Sequence, residues 1–141
     1  MPGVLVDASA LIALLDRDDA AHERCLEALE GVREPLFTVW PALTEAMHLL
    51  ADTARGTDTL CDMVSDDALR LVDLEAADLA RMKALMQKYR DLPMDFADAA
   101  IVRAAERERT NRIITLDRRF HAYRLPNRGR FAVLPPPAAR R

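Results

Sequence analysis

The sequence predicts an α/β protein with a mainly parallel central sheet, and two observations support this fold class. Short apolar runs alternate along the chain with longer segments in which apolar residues recur every three to four positions. This alternation of strands and helices indicates a layered architecture, in which right-handed crossovers place helices on both faces of the sheet. The length of 141 residues, half of them hydrophobic, suits one domain with a sizeable core.

Five segments are predicted as strands because they are short, apolar and bounded by charged residues or by turn formers. The first ends at Asp7, and the fourth ends at Asp117. The last is stopped by the prolines that follow it. The predicted strands are residues 3–6, 35–39, 69–74, 112–116 and 131–134.

Six segments show helical spacing or helix-start signals. Asp7 or Ser9 is suited to cap the first helix, and Pro41 lies near the first position of the third. The last helix is apolar almost all round, which predicts that it is largely buried. The predicted helices are residues 9–19, 21–34, 41–54, 57–68, 75–89 and 95–109.

No internal linker divides the chain, so residues 1–141 are expected to form a single domain, with a frayed end from about residue 136. The N-terminal segment lacks the basic region of a signal peptide. No apolar run approaches the roughly 20 residues that span a bilayer. These features predict a cytoplasmic protein that does not enter a membrane.

Charge is unevenly distributed. The first 80 residues contain 17 acidic and 5 basic residues, whereas residues 112–141 contain 8 basic residues and 1 acidic residue. This asymmetry is compatible with a metal site beside a phosphate-binding surface. Charge alone favours the simpler interpretation, a solvated basic tail.

Four acidic residues are predicted to meet at one edge of the sheet. Asp7 and Asp117 each end a strand, Glu45 lies early in the helix after the second strand, and Asp98 lies in the first turn of the last helix. Ligands of open α/β sheets bind beyond the carboxyl ends of the strands. The sequence therefore predicts a pocket lined by four carboxylates.

Each acid also has a structural explanation. Asp7 could serve simply as the cap of the next helix, and Asp117 could simply begin a turn. Glu45 could be a solvated helix residue. Asp95 and Asp98 could cap the last helix together, so Asp95 is interpreted as a cap first and a ligand second. Asp98 is the most informative of the set, because a buried carboxylate requires a cation, backbone donors or a proton.

Convergence of these acids favours a divalent cation. Carboxylates in one pocket raise one another's pKa, and a cation removes that repulsion. A site made only of oxygen ligands suits Mg²⁺ or Mn²⁺. The three histidines, His22, His48 and His121, have no zinc spacing.

Four segments in this order, LVDASALIALL, TEAMHLL, DFADAAIVRAAE and IITLDRRFHAYR, resemble the PIN-domain family. Their separation is most similar to that of the VapC toxin nucleases of bacterial VapBC toxin–antitoxin pairs. The resemblance covers nearly the whole chain. It implies a flavodoxin-like, three-layer α/β/α sandwich with an acidic pocket that binds one or two Mg²⁺ or Mn²⁺ ions.

The same resemblance implies roles for particular residues. Asp7, Asp98 and Asp117 match metal ligands, and Glu45 matches a ligand that binds directly or through water. Asp95 matches an acid found only in some family members, which leaves its role open. Ser9 and Thr115 match small polar residues that orient a carboxylate or a water molecule.

The implied activity is a metal-dependent endoribonuclease that uses water as its nucleophile and leaves 3′-hydroxyl and 5′-phosphate ends. The implied partners are tRNA, rRNA or mRNA as substrate, a VapB-type antitoxin, and a second copy of the chain in a homodimer. Five arginines are candidates for phosphate contacts: Arg118, Arg119, Arg124, Arg128 and Arg130.

Two other interpretations remain. A receiver or a dehalogenase-like phosphotransfer domain also places an Asp at a strand end, but a receiver needs an acidic pair there and a dehalogenase needs a second Asp where Ser9 stands. Formation of an aspartyl phosphate from a small phosphodonor would identify such a domain. The other interpretation is a PIN-fold binding module without catalysis, against which the presence of all four acids argues.

Overall fold

The computed structural model describes residues 2–126 and 129–137. Within these residues, seven strands and six α-helices follow one another along the chain. The strands are β1 (Val4–Val6), β2 (Leu36–Thr38), β3 (Arg70–Leu71), β4 (Arg112–Ile114), β5 (Arg124–Leu125), β6 (Gly129–Arg130) and β7 (Ala132–Leu134). The helices are α1 (Ala8–Leu15), α2 (His22–Glu30), α3 (Trp40–Leu49), α4 (Gly56–Ser65), α5 (Leu79–Lys88) and α6 (Phe96–Glu108).

The central sheet has the strand order β3-β2-β1-β4-β7, and every neighbouring pair in it is parallel. Strand β1 lies in the middle, with Leu5 opposite Phe37 on one side and Ile113 on the other. Helices flank this sheet, as the sequence predicted. A separate antiparallel pair, β5 with β6, lies outside it.

Strand β1 and helix α6 contribute much of the buried core. All three residues of β1 are buried, as expected for a parallel strand covered on both faces. Helix α6 is buried along most of its circumference, which confirms the prediction from its composition. Only glycine fits at position 3, just before β1. A Cβ there would lie 2.3 Å from the Phe37 ring and 2.7 Å from the Pro35 carbonyl oxygen.

Several predicted elements were longer than those in the structure. The first helix ends at Leu15 instead of residue 19, because the side chains of Asp16 and Asp19 accept hydrogen bonds from the backbone two residues on and form turns. The strand predicted over 69–74 is only two residues long. A 3₁₀-helix at Arg118–His121 and the β5–β6 pair were not predicted.

The predicted frayed end falls mostly outside the described residues. Pro136 and Pro137 are described, and the Pro136 carbonyl accepts a 3.1 Å hydrogen bond from Arg24. Across the described ranges, no helix combines the length and the apolar character that crossing a membrane requires.

Candidate active site

The ends of the two central strands bring Asp7 and Asp117 to the same edge of the sheet. Asp7 follows β1 directly, and its backbone N–H donates to the carbonyl of Ile114, the last residue of β4. Three residues later the chain reaches Asp117. This placement agrees with the prediction from strand ends, and it depends on the direct pairing of β1 with β4.

Asp7 is held by two hydroxyl groups. Its Oδ2 accepts hydrogen bonds from Thr115 and, at 3.2 Å, from Ser9, while the Ser9 backbone N–H donates to Oδ1 at 3.4 Å. The two hydroxyls also lie 3.3 Å apart. Asp7 is therefore both the cap of α1 and the acceptor of a small hydroxyl network. The structural and functional interpretations of this residue are compatible.

The same hydroxyls fix the segment that carries Asp117. Thr115 Oγ1 accepts a 3.0 Å hydrogen bond from the Asp117 backbone N–H, and Ser9 Oγ accepts one of 3.0 Å from Leu116. Thr115 is only 2% exposed. Ser9 and Thr115 thus tie the end of β1 to the loop after β4, where the resemblance placed orienting groups.

Asp117 begins the 3₁₀-helix and pairs with Arg119. Its Oδ1 accepts from the Arg119 backbone N–H at 3.0 Å, and the guanidinium contacts both carboxylate oxygens, with Nη2 2.6 Å from Oδ2. Asp117 therefore does begin a turn, as its structural explanation predicted. The ion pair with Arg119 was not foreseen.

Asp98 lies in the first turn of α6 and is 5% exposed. Asp95 caps this helix by accepting a 2.8 Å hydrogen bond from the Asp98 backbone N–H, and Asp98 Oδ2 receives a 3.5 Å return bond from the Asp95 N–H. Asp98 Oδ2 also lies 3.2 Å from Arg119 Nη2. Asp95 occupies the capping position, and its role as a ligand stays a prediction.

Tyr123 is a site residue that sequence reasoning missed. Its hydroxyl donates a 2.8 Å hydrogen bond to Asp98 Oδ2, and its side chain is fully buried. The only signal in the sequence was its presence in the segment DRRFHAYR, which does not reveal contact with a residue 25 positions earlier.

Glu45 lies at the rim of this group, exposed on α3. The pKa of Glu45 is raised, first by partial desolvation and then by the negative charges of Asp7 and Asp95. Glu45 is thus subject to the charge of these acids, and among the described residues its carboxylate makes no hydrogen bond to the network around Asp7.

Electrostatics distinguish the acids. Burial, with further repulsion from Asp117, raises the pKa of Asp7. Burial and repulsion from Asp95 raise the pKa of Asp98 to about 7, against opposition from Tyr123 and Arg119. Burial also acts to raise the pKa of Asp117, but the hydrogen bonds from Arg119 outweigh it and leave that pKa lowered. Raised pKa values at a strand edge are typical of sites that need a cation.

The donor set fits a hard divalent cation in chemistry. Asp7, Asp98 and Asp117 offer carboxylate oxygens, and no soft ligand lies among them. In residues 2–126 and 129–137, however, no three His, Cys, Asp or Glu side chains are arranged so that they could hold a metal ion as they stand. The guanidinium of Arg119 instead lies against two of the carboxylates.

The five arginines proposed for phosphate contacts differ in their placement. Arg118 and Arg130 are exposed, and the Arg124 guanidinium donates to the carbonyls of His121, Ala122 and Tyr123. Arg119 points into the acidic group, so its first partners are carboxylates and not a phosphate. Arg128 lies outside the described residues.

Comparison with known proteins identifies the family. The model of the PIN domain matches residues 4–125 of the chain. The chain belongs to the PIN-domain family. The matched span includes β1 through β5 and contains every acid of the site, so this PIN domain carries its acidic group within the region that defines the family.

Two individual proteins are similar to this PIN-domain chain. Ribonuclease VapC26 of Mycobacterium tuberculosis is 33% identical over 136 residues, which cover 94% of this chain and all of that protein. The crystal structure of M. tuberculosis VapC20, described as a sarcin-ricin-loop-cleaving toxin, superposes with a TM-score of 0.78 at 18% identity, covering 85% of this chain and 94% of that one. The predicted fold, the predicted family and the prediction of a VapC-type ribonuclease are confirmed by these likenesses.

Proposed function

We propose that the protein is a Mg²⁺- or Mn²⁺-dependent endoribonuclease, the toxin of a VapBC-type pair, which hydrolyses RNA with water and leaves 3′-hydroxyl and 5′-phosphate ends. The observation that supports this most directly is the gathering of Asp7, Asp98 and Asp117 at one sheet edge. Similarity to Ribonuclease VapC26 over the whole of that protein supports RNA as the substrate class.

Asp7, Asp98 and Asp117 would hold the divalent ion, with Glu45 directly or through water and Asp95 as an additional candidate. The chemistry that such an ion supplies is Lewis acidity toward water and toward the phosphate oxygens. Glu45 is exposed at the rim, so its carboxylate can reach solvent and substrate without leaving the protein core.

The remaining groups orient the carboxylates. Thr115 and Ser9 donate to Asp7 Oδ2, which leaves Oδ1 constrained only by the weaker bond from the Ser9 backbone. Tyr123 donates to Asp98 Oδ2 and leaves its Oδ1 without a bond in the described network. These bonds fix the orientation of the Asp7 and Asp98 carboxylates beside the proposed ion.

RNA would approach the rim beside the 3₁₀-helix. Arg118 and Arg130 are exposed and suited to phosphate contacts, which fix the position of a strand without reading its sequence. We infer a homodimer and a VapB-type antitoxin as protein partners from membership of the VapC-like group. The RNA target is one of tRNA, rRNA or mRNA.

The test compares RNA cleavage by wild type, Asp7→Asn and Asp18→Asn. Asp18 is an exposed acid away from the sheet edge, so its variant controls for the loss of one negative charge. Total RNA is incubated with each protein in Mg²⁺, in Mn²⁺ and in EDTA. We expect discrete products from wild type and Asp18→Asn in either metal, and none from Asp7→Asn or in EDTA.

The chemical nature of the product ends provides a second test in the same experiment. Fragments with a 5′-phosphate accept a new label from a polynucleotide kinase only after dephosphorylation. Cleavage that persists in EDTA and in Asp7→Asn, or fragments that end in a 2′,3′-cyclic phosphate, would contradict metal-assisted hydrolysis by water.

A further inference from the structure

The guanidinium of Arg119 forms a bridge between two acids of the site. Its Nη2 lies 2.6 Å from Asp117 Oδ2 and 3.2 Å from Asp98 Oδ2. Its Nε lies 3.1 Å from each oxygen of Asp117, and its Nη1 donates to the carbonyl of Pro93. A positive charge therefore already lies where two of the proposed metal ligands meet.

This bridge engages carboxylate oxygens of two of the proposed metal ligands. A divalent cation binds carboxylates through their oxygens, and the bridging oxygens, Oδ2 of Asp98 and Oδ2 of Asp117, are both engaged by one nitrogen. A guanidinium has no lone pair available for coordination and cannot act as a ligand itself. Arg119 and a metal ion that used these oxygens could not both occupy the same position.

The bridge is also able to open. The Arg119 side chain is 31% exposed, whereas those of Asp98 and Asp117 are 6% and 23% exposed. The carboxylates are thus held by the fold, and the cation lies on the solvent side of them. Arg119 is anchored at its backbone by the Asp117 turn, so the long side chain can move while its Cα stays in place.

We propose that Arg119 is an internal cation that competes with the divalent metal ion for Asp98 and Asp117, so that metal binding requires its guanidinium to leave. The bridge balances the acids when no metal is bound, and it lowers the affinity for metal by the free energy of breaking the pair. This inference rests on the proposed metal-dependent function.

Metal affinity tests the competition directly. Binding of Mn²⁺ is measured by electron paramagnetic resonance, without RNA, for wild type, Arg119→Gln and Arg118→Gln. Gln removes the charge and keeps most of the length, and exposed Arg118 controls for the loss of a nearby charge. We expect Arg119→Gln to bind Mn²⁺ at least about fivefold more tightly than wild type. The Mn²⁺ affinity of Arg118→Gln should stay within about twofold of wild type.

The outcomes separate this inference from the proposed function. Equal Mn²⁺ affinity in wild type and Arg119→Gln overturns the competition and leaves the metal nuclease standing. An equal gain in Arg118→Gln also overturns it, because the effect would then be one of general charge. If folded wild type and Arg119→Gln both bind no Mn²⁺, the competition and the metal-dependent function are both wrong.

A measurement on wild type alone keeps the inference testable if Arg119→Gln fails to fold. The Nε–Hε resonances of the arginines are followed by NMR during titration with Mg²⁺. We expect the Arg119 signal to shift as its bonds to Asp117 break, while Arg103, which pairs with Asp78 at 2.7 Å, stays unchanged. An Arg119 signal that does not move at saturating Mg²⁺ would overturn the proposal.

Discussion

The hydroxyl of Tyr123 donates a 2.8 Å hydrogen bond to Oδ2 of Asp98, and both side chains are buried. The Tyr123 ring is held edge-on by Tyr89 and Phe120, with centroids 5.0 Å and 5.1 Å away. A rigid aromatic cluster therefore sets the position of one carboxylate. The pKa of Tyr123 is raised, mainly by burial and then by this bond, so the hydroxyl keeps its proton and remains a donor.

Tyr123→Phe removes this donor and keeps the ring. We expect the RNA cleavage rate to fall by about tenfold or more, because groups that orient a metal ligand are typically worth that much. Stability should fall by only about 1 kcal/mol, the usual contribution of one hydrogen bond. Cleavage kinetics and urea unfolding of the same preparation measure the two effects.

Tyr89→Phe is the matched control. The Tyr89 hydroxyl accepts a 2.9 Å hydrogen bond from the Arg124 backbone N–H and does not contact an acid of the site. Its variant should lose a similar amount of stability and retain the cleavage rate. Equal cleavage losses in the two variants would indicate that the Tyr123 hydroxyl affects cleavage only through stability and does not orient Asp98.

Thr115 and Thr110 offer a second matched pair, since both hydroxyls are buried and donate hydrogen bonds. Thr115 donates to Asp7, and Thr110 donates a 2.6 Å bond to the Gly3 carbonyl, away from the acids. Replacement by Val keeps the shape and leaves an acceptor without its donor, so each variant should lose roughly 1–3 kcal/mol of stability. Only Thr115→Val is expected to lose cleavage, measured below the melting temperatures of both proteins.

The raised pKa of Asp98 predicts how stability without metal depends on pH. Between about pH 4.5 and pH 7 the folded protein binds more protons than the unfolded chain, so its stability is greatest at the acid end and declines as pH rises toward about 7. Asp7 and Glu45, with raised pKa values, act in the same direction. Asp117 has a lowered pKa and affects stability only below about pH 4.

Urea unfolding in EDTA from pH 4.5 to 7.5 measures this slope. Wild type should lose roughly 1–3 kcal/mol over the range, and Asp98→Asn should lose less because one of the groups with a raised pKa is gone. A wild type whose stability rises with pH over this window would mean that Asp98 is ionised well below pH 7 in the folded protein.

Periodicity predicted the elements of the fold well, because parallel strands and buried helices leave strong apolar patterns. Strands β1, β2 and β4 and helix α6 were each anticipated within two residues. The β5–β6 pair was missed because Arg124, Leu125, Gly129 and Arg130 do not form an alternating pattern. Helix α1 was predicted too long, since side chains of Asp16 and Asp19 that bond the backbone compete with helix continuation.

The acids of the site were predictable from position, whereas their partners were not. Strand ends and helix starts can be recognised in a sequence, so Asp7, Asp98 and Asp117 could be placed at one edge of the sheet. The bond between Tyr123 and Asp98, and the bridge formed by Arg119, depend on side-chain conformations in the loop after β4. Periodicity carries no information on such contacts.

Asp78 provides a buried acid outside the site for comparison with Asp98. It is 5% exposed, pairs with Arg103 at 2.7 Å and with Arg107 at 3.1 Å, and has a pKa lowered first by a backbone hydrogen bond from Glu75 and then by Arg103. Asp78→Asn should therefore lose roughly 2 kcal/mol of stability and retain cleavage. Its carboxylate is structural, whereas that of Asp98 is proposed to bind metal.

The most direct test of the central claim is RNA cleavage by Asp98→Asn beside Asp78→Asn, with stability in EDTA measured on the same samples. We predict that Asp98→Asn abolishes cleavage in Mg²⁺ and in Mn²⁺ while the metal-free protein stays at least as stable as wild type at pH 7, because a costly buried charge is removed. Asp78→Asn should be less stable and still active. Retained, fully metal-dependent cleavage by Asp98→Asn would contradict the assignment of this carboxylate to the metal site.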